Sequence, residues 1–180
     1  MHNRFLNYFF CLLLASAMTP VDVFAGEAED FLQMLDGKFR GRGKVVFQNM
    51  TGEQPVSCRI ENSYDEAQKV LSVTGNCAST QGKTVVKGQL EIVEGKIAGS
   101  FISPNAKSEI TQSNGEIRGD ELIVSTSFVN NDSGNLSRIR QIVVLPTEDG
   151  TGFMSKFQSY DNASKEYQDT GWVEFSSSKK

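Results

Sequence analysis

From Gly37 onward, apolar and polar residues alternate. Phe39, Gly41, Gly43, Val45 and Phe47 share one face, while Lys38, Arg40, Arg42 and Lys44 share the other. A period of two with one apolar side is the pattern of a strand resting on a core. Slipping the strand by one residue would bury four cations, each costing several kcal/mol without a partner. The pattern therefore predicts Phe39, Val45 and Phe47 pointing in and the four cations pointing out. The two inward glycines allow sharp bending or close approach by another element.

Short runs of the same kind follow near 56–65, 68–77, 83–93, 96–103, 107–113, 115–118, 121–128, 136–145, 151–159 and 166–175. Turn dipeptides separate them: Glu94-Gly95, Gly119-Asp120, Gly134-Asn135 and Asp149-Gly150. Ahead of the strands, Ala28, Phe31, Leu32 and Leu35 recur at helical spacing. Glu27, Glu29 and Asp30 suit the positive end of a helix dipole, and Gly37 can end the helix. A short amphipathic helix is expected over 27–35. The lack of a second helical pattern of convincing length argues against parallel βαβ architecture. A sandwich or an up-and-down barrel remains, and the mostly hairpin-length links favour the barrel. The expected fold is all-β, an antiparallel up-and-down barrel with a short N-terminal helix.

The first 25 residues read as a secretory leader. Arg4 supplies the positive start, Phe9 to Ala17 the apolar stretch, and Val23-Phe24-Ala25 the small residues before a cut after Ala25. The apolar stretch is too short for a membrane span, which needs roughly 20 residues. One domain, 26–180, remains, and its expected location is the periplasm. The chain carries a net charge of −4 with a pI near 5.1, which argues against a nucleic-acid partner.

Export changes the meaning of the cysteines. Cys11 lies in the leader, leaving Cys58 and Cys77. The runs 56–65 and 68–77 form the arms of a hairpin turning at Glu66-Ala67. Setting Cys58 opposite Cys77 also sets Ile60 opposite Gly75, Asn62 opposite Val73 and Tyr64 opposite Leu71. Directly opposed Cβ atoms stand about 4.5–5.5 Å apart, near disulfide geometry, so a bridge is expected in an oxidising compartment. Ile60, Leu71 and Val73 are expected to face inward.

The stretch Leu35-Asp36-Gly37-Lys38-Phe39-Arg40-Gly41-Arg42-Gly43 resembles the first strand of calycin-type barrels, nitrobindin-like barrels among them. In those folds a G-x-W-x-G-x-G-like strand follows a short helix. Here Phe39 stands where the Trp is usual. The wider pattern is similar to a group of small periplasmic proteins of alphaproteobacteria. In that group a strand carrying Cys58-Arg59 is followed by L-x-V-x-G-x-C, here Leu71 to Cys77. The resemblance implies an exported barrel more than an activity. Nitrobindin-like barrels ligate haem iron through a histidine. The only histidine here is His2, inside the leader.

A chain without histidine after cleavage lacks the commonest general base and the commonest metal ligand. No G-x-S-x-G elbow is present. No enzyme activity and no cofactor or metal are expected. Tyr64, Tyr160 and Tyr167 are the residues that would ligate haem iron if any did. The leading expectation is a non-catalytic barrel that binds a small apolar or amphipathic ligand. Phe39, Phe47, Tyr64 and Trp172 would line its cavity, with Trp172 closing the last strand against the first. The alternative is a protein-interaction module of the envelope, such as a protease-inhibitor-like barrel. A cavity favours the first, and a filled core with an exposed apolar patch favours the second. The outward stripe Lys38, Arg40, Arg42, Lys44 is a candidate contact for an anionic envelope component. Against that stands the plainer role of discouraging edge-to-edge aggregation.

Overall fold

The structure is a computed structural model and describes residues 22–46, 52–102, 108–130, 134–145 and 151–178. One helix, α1 (Asp22–Met34), precedes ten strands. These are β1 (Gly37–Val45), β2 (Gln54–Asp65), β3 (Val70–Ser79), β4 (Gly82–Val93) and β5 (Lys96–Ser100), then β6 (Ser108–Arg118), β7 (Glu121–Asn130), β8 (Leu136–Val144), β9 (Gly152–Asp161) and β10 (Glu166–Ser177). Each strand pairs antiparallel with its neighbours in sequence, and β10 returns to β1 to close the barrel. The all-β, up-and-down barrel with a short N-terminal helix is the observed architecture.

Some boundaries differ from the sequence reading. The runs 107–113 and 115–118 form one strand, β6. Asn114 does not break the chain, and Gly115 sits in the ladder opposite Ile97, where an added Cβ would come within 2.8 Å of the Ile97 side chain. The strand expected over 96–103 stops at Ser100. The helix starts at Asp22 rather than 27.

In β1, Phe39 and Gly41 are buried and Lys38, Arg40, Arg42 and Lys44 are exposed, as the alternation requires. Val45 is partly buried against the core. Phe47 lies outside the described residues. Gly41 has a specific reason to lack a side chain. A Cβ there would stand 2.6 Å from the side chains of Val173 and Phe175 on the adjoining β10. The β2–β3 register is the expected one, with Cys58 opposite Cys77, Ile60 opposite Gly75, Asn62 opposite Val73 and Tyr64 opposite Leu71. Cys58 and Cys77 are joined by a disulfide. The turn between them runs over four residues, with the Asp65 carboxylate accepting from the backbone N–H groups of Ala67 (2.9 Å) and Gln68 (3.0 Å).

Ten strands enclose a wider interior than eight, so filling it takes large side chains. Phe153 stacks on Phe175 with ring centroids 4.8 Å apart and meets Phe39 (5.0 Å) and Phe101 (5.5 Å) edge to face. Helix α1 closes the adjoining end of the barrel, burying Ala28, Phe31 and Leu32, with Leu35 buried in the turn that follows it. Buried Asn62 donates its Nδ2 to Leu35 O (2.8 Å), and Asp36 accepts from Tyr64 N (2.9 Å). Lys69 pairs with Glu29. The helix is thereby tied to the β2–β3 hairpin as well as packed on the core.

One junction is made differently. Strands β5 and β6 share a single register pair, Ile97 and Gly115. Beside it, the Ser113 hydroxyl accepts from Gly99 N (2.8 Å) and donates to Gly99 O, so one side chain stands in for a neighbouring peptide. Thr126 also donates to Gly99 O (3.1 Å). Past the end of β5, the buried Gln141 carboxamide accepts from Phe101 N (3.0 Å) and Ile102 N (3.2 Å). It donates to Ile102 O (2.8 Å). Without it the Phe101 and Ile102 N–H groups would lose this acceptor, and Ile102 O would keep only the Ser100 hydroxyl (2.8 Å).

Candidate functional site

Trp172 does not close the core. Val173 and Phe175 occupy the inner positions of β10, so alternation puts Trp172 and Glu174 on the outer wall. Trp172 is 38% exposed. It stands in register between Lys44 of β1 and Lys156 of β9. The expectation that Trp172 points inward is therefore corrected. The signal was present in the sequence, since Val173 and Phe175 cannot both be inside with Trp172. Judging the tryptophan by its size hid that pattern.

Around Trp172 the wall forms a groove of about 410 Å³ with Val46 and Met154 as its apolar neighbours. Val46 is itself 40% exposed. Glu53, Lys156, Asp169 and Glu174 rim the groove with both signs of charge. Met154 and Lys156 carry no motif in the sequence and enter only because β9 pairs with β10 in this register.

Phe39, expected to line a cavity, is locked in the ring cluster with Phe153 and is 6% exposed. Tyr64 packs partly buried against the core at the helix-capped end. Its hydroxyl is buried without a hydrogen-bond partner. Burial first, and then the nearby Glu29 carboxylate, push its phenol above the ordinary tyrosine range. Phe39, Tyr64 and Trp172 thus occupy three different environments and do not meet around one cavity. Tyr160 and Tyr167 are also apart from Tyr64. They face each other across β9 and β10 with ring centroids 5.3 Å apart.

The basic stripe is outward but partly neutralised. Lys38 bridges Glu61 and Lys44 bridges Glu53, each at 3.3 Å and solvent exposed. Exposed pairs of this kind contribute little stability. Arg40 sits opposite Arg59, and among the described residues no carboxylate bridges Arg40, Arg42 or Arg59.

Comparison with known proteins adds one firm point. Rv2717c from M. tuberculosis superimposes with a TM-score of 0.58 at 12% identity, covering 84% of this chain and 98% of that one. What the two share is the barrel fold. A second solved structure, the di-domain ARO/CYC StfQ of the steffimycin biosynthetic pathway, matches at 8% identity over 87% of this chain and 79% of that one. Its TM-score is 0.20, too low to bear on the fold. No family model matches the chain, and no curated protein does. No helix among the described residues is long and apolar enough to cross a membrane.

Proposed function

We propose that the mature chain is an exported, non-catalytic module of the cell envelope that binds a partner protein through the outer wall around Trp172. The observation that carries this reading is the large aromatic at 38% exposure beside Val46 and Met154, ringed by charges of both signs. Interface hot spots have this composition, an aromatic anchor with a polar rim. The packed Phe39, Phe101, Phe153 and Phe175 and the helix lid support it from the other side, by occupying the space a lumen ligand would need. Export rests on the leader at 1–25 and the Cys58–Cys77 bridge. A cut after Ala25 falls within α1 and retains Ala28, Phe31 and Leu32, together with Leu35 just past the helix, which close the barrel. Kinship with the exported alphaproteobacterial barrels rests on Cys58-Arg59 and Leu71 to Cys77.

The test is photo-crosslinking in the native envelope. A photoreactive residue at 154 or 172 is expected to give one discrete protein adduct, absent when the probe sits at Lys83 on β4. Equal, diffuse labelling at all three positions would overturn the reading. A small apolar ligand in the barrel keeps one observation in its favour. At the end away from α1, the inward residues Val45 and Phe157 are only partly buried. Native mass spectrometry of the protein from its own envelope separates the two, because a retained small molecule would replace the wall by the lumen as the working site.

A further inference from the structure

On the same outer wall, toward the end away from α1, β8 presents Arg138 and Arg140 two residues apart and therefore on one face. Arg138 lies with its guanidinium carbon 5.1 Å from the Tyr160 ring centroid, and Arg140 with its own 3.9 Å from that of Tyr167. Since the two rings also meet edge to face, the four side chains form one contiguous cluster. Stacking holds a guanidinium by its face and leaves the N–H edge available for a planar oxyanion. Among the described residues no carboxylate forms a salt bridge with either arginine. Arg140 Nε is buried with no acceptor. Arg118 shows the contrast: its Nε and Nη2 both donate to Glu116 at 2.9 Å. The carboxylate in the Arg140 row, Asp169, instead accepts from Gln158 Nε2 at 2.8 Å.

The surface beside the cluster is of one chemical kind. In register with Arg140 lie Ser125 and Asn114, and in register with Arg138 lie Ser127 and Gln112. These hydroxyls and amides, with Arg138 and with Tyr167 as a wall, line a groove of about 420 Å³ that has no lysine and no acid, and Arg140 borders it through its contact with the Tyr167 ring. Leu136, 48% exposed, forms an apolar edge. Uncharged donors and acceptors match sugar hydroxyls, an apolar edge matches the C–H face of a sugar ring, and paired arginines match a carboxylate or phosphate. From this we infer a binding site for a carbohydrate that carries an oxyanion. It goes beyond the protein contact at Trp172 and does not depend on it.

Titration of the mature protein, followed by NMR at the arginine Nε–H and the Asn114 and Gln112 side-chain amides, tests the site. Digalacturonate and glucose 1-phosphate serve as probes, with maltose and inorganic phosphate as controls. Saturable shifts are expected with one or both anionic sugars, and which of them binds tells carboxylate from phosphate recognition. Arg140→Gln, checked for native circular dichroism, is expected to weaken binding by about tenfold or more. Trp172→Ala is expected to leave it unchanged. No shift with either anionic sugar, or equal affinity for inorganic phosphate, the mark of an adventitious ion only, would overturn the inference. So would maltose binding as tightly, or undiminished binding by the doubly substituted Arg138→Gln, Arg140→Gln protein.

Discussion

Hairpin β2–β3 has nine opposed residue pairs, from Ser57 with Ala78 to Asp65 with Val70, whereas β5 and β6 share one register pair, Ile97 and Gly115. Both are neighbours in the same closed wall. In the hairpin, backbone ladder, turn and disulfide all lie within one short stretch of chain. At the β5–β6 seam, closure depends on side chains: the Ser113 hydroxyl of β6 itself, and Thr126 and Gln141 from β7 and β8. A ladder bond survives most side-chain changes, because the backbone makes it. A seam held by side chains is specific to their identity. Amide exchange should therefore be faster at Gly99 and Ser100 than at Ile60 and Val73.

The largest effect should come from the ring cluster that both regions lean on. Phe153→Ala removes the ring that Phe39, Phe101 and Phe175 all contact, and is expected to cost about 3–5 kcal/mol in denaturant melts. A loss below about 1 kcal/mol would mean that the barrel interior is loosely packed. Next comes the hairpin bridge. Free-thiol labelling of unfolded, non-reduced protein should find Cys58 and Cys77 protected, and replacing both by Ser should cost about 3 kcal/mol through the unfolded chain.

The seam is probed by Gln141→Leu, which keeps an apolar bulk but strands Phe101 N and Ile102 N. A loss of about 2 kcal/mol is expected, with faster exchange confined to β5 and its end. A uniform loss of protection over the whole barrel would make Gln141 a general core residue rather than a seam tie. Ser113→Ala should act in the same place with about 1 kcal/mol, since Thr126 still reaches Gly99 O. The smallest effect belongs to the exposed stripe, where Arg42→Ala should change stability by under about 0.5 kcal/mol. An Arg42 effect exceeding that of Gln141 would reverse the ranking of wall and interior.

What the sequence by itself determined is what neighbouring residues settle among themselves. The alternation from Lys38 to Val45 set the inner and outer faces of β1, because any slip buries cations. The Cys58–Cys77 register followed from two adjacent runs joined by a short turn. The helix stripe of Ala28, Phe31, Leu32 and Leu35 was legible by its spacing, and so was the order of short strands that makes a meander.

Tertiary structure alone decided the rest. Whether the chain breaks at Asn114 or runs on so that Gly115 pairs with Ile97 depends on a strand that lies earlier in the chain. Gln141 reads as an ordinary polar strand residue until Phe101 and Ile102 arrive from across the barrel. The neighbours of Trp172 on the outer wall, Lys44 and Lys156, follow only from the pairing of β10 with β1 and β9. The groove at Met154 and the stacking of Arg138 and Arg140 on Tyr160 and Tyr167 exist only after β8, β9 and β10 take their registers. Local periodicity fixes which face a residue shows, but a surface shared by several strands is made by non-local pairing, and pairing is what closes the barrel.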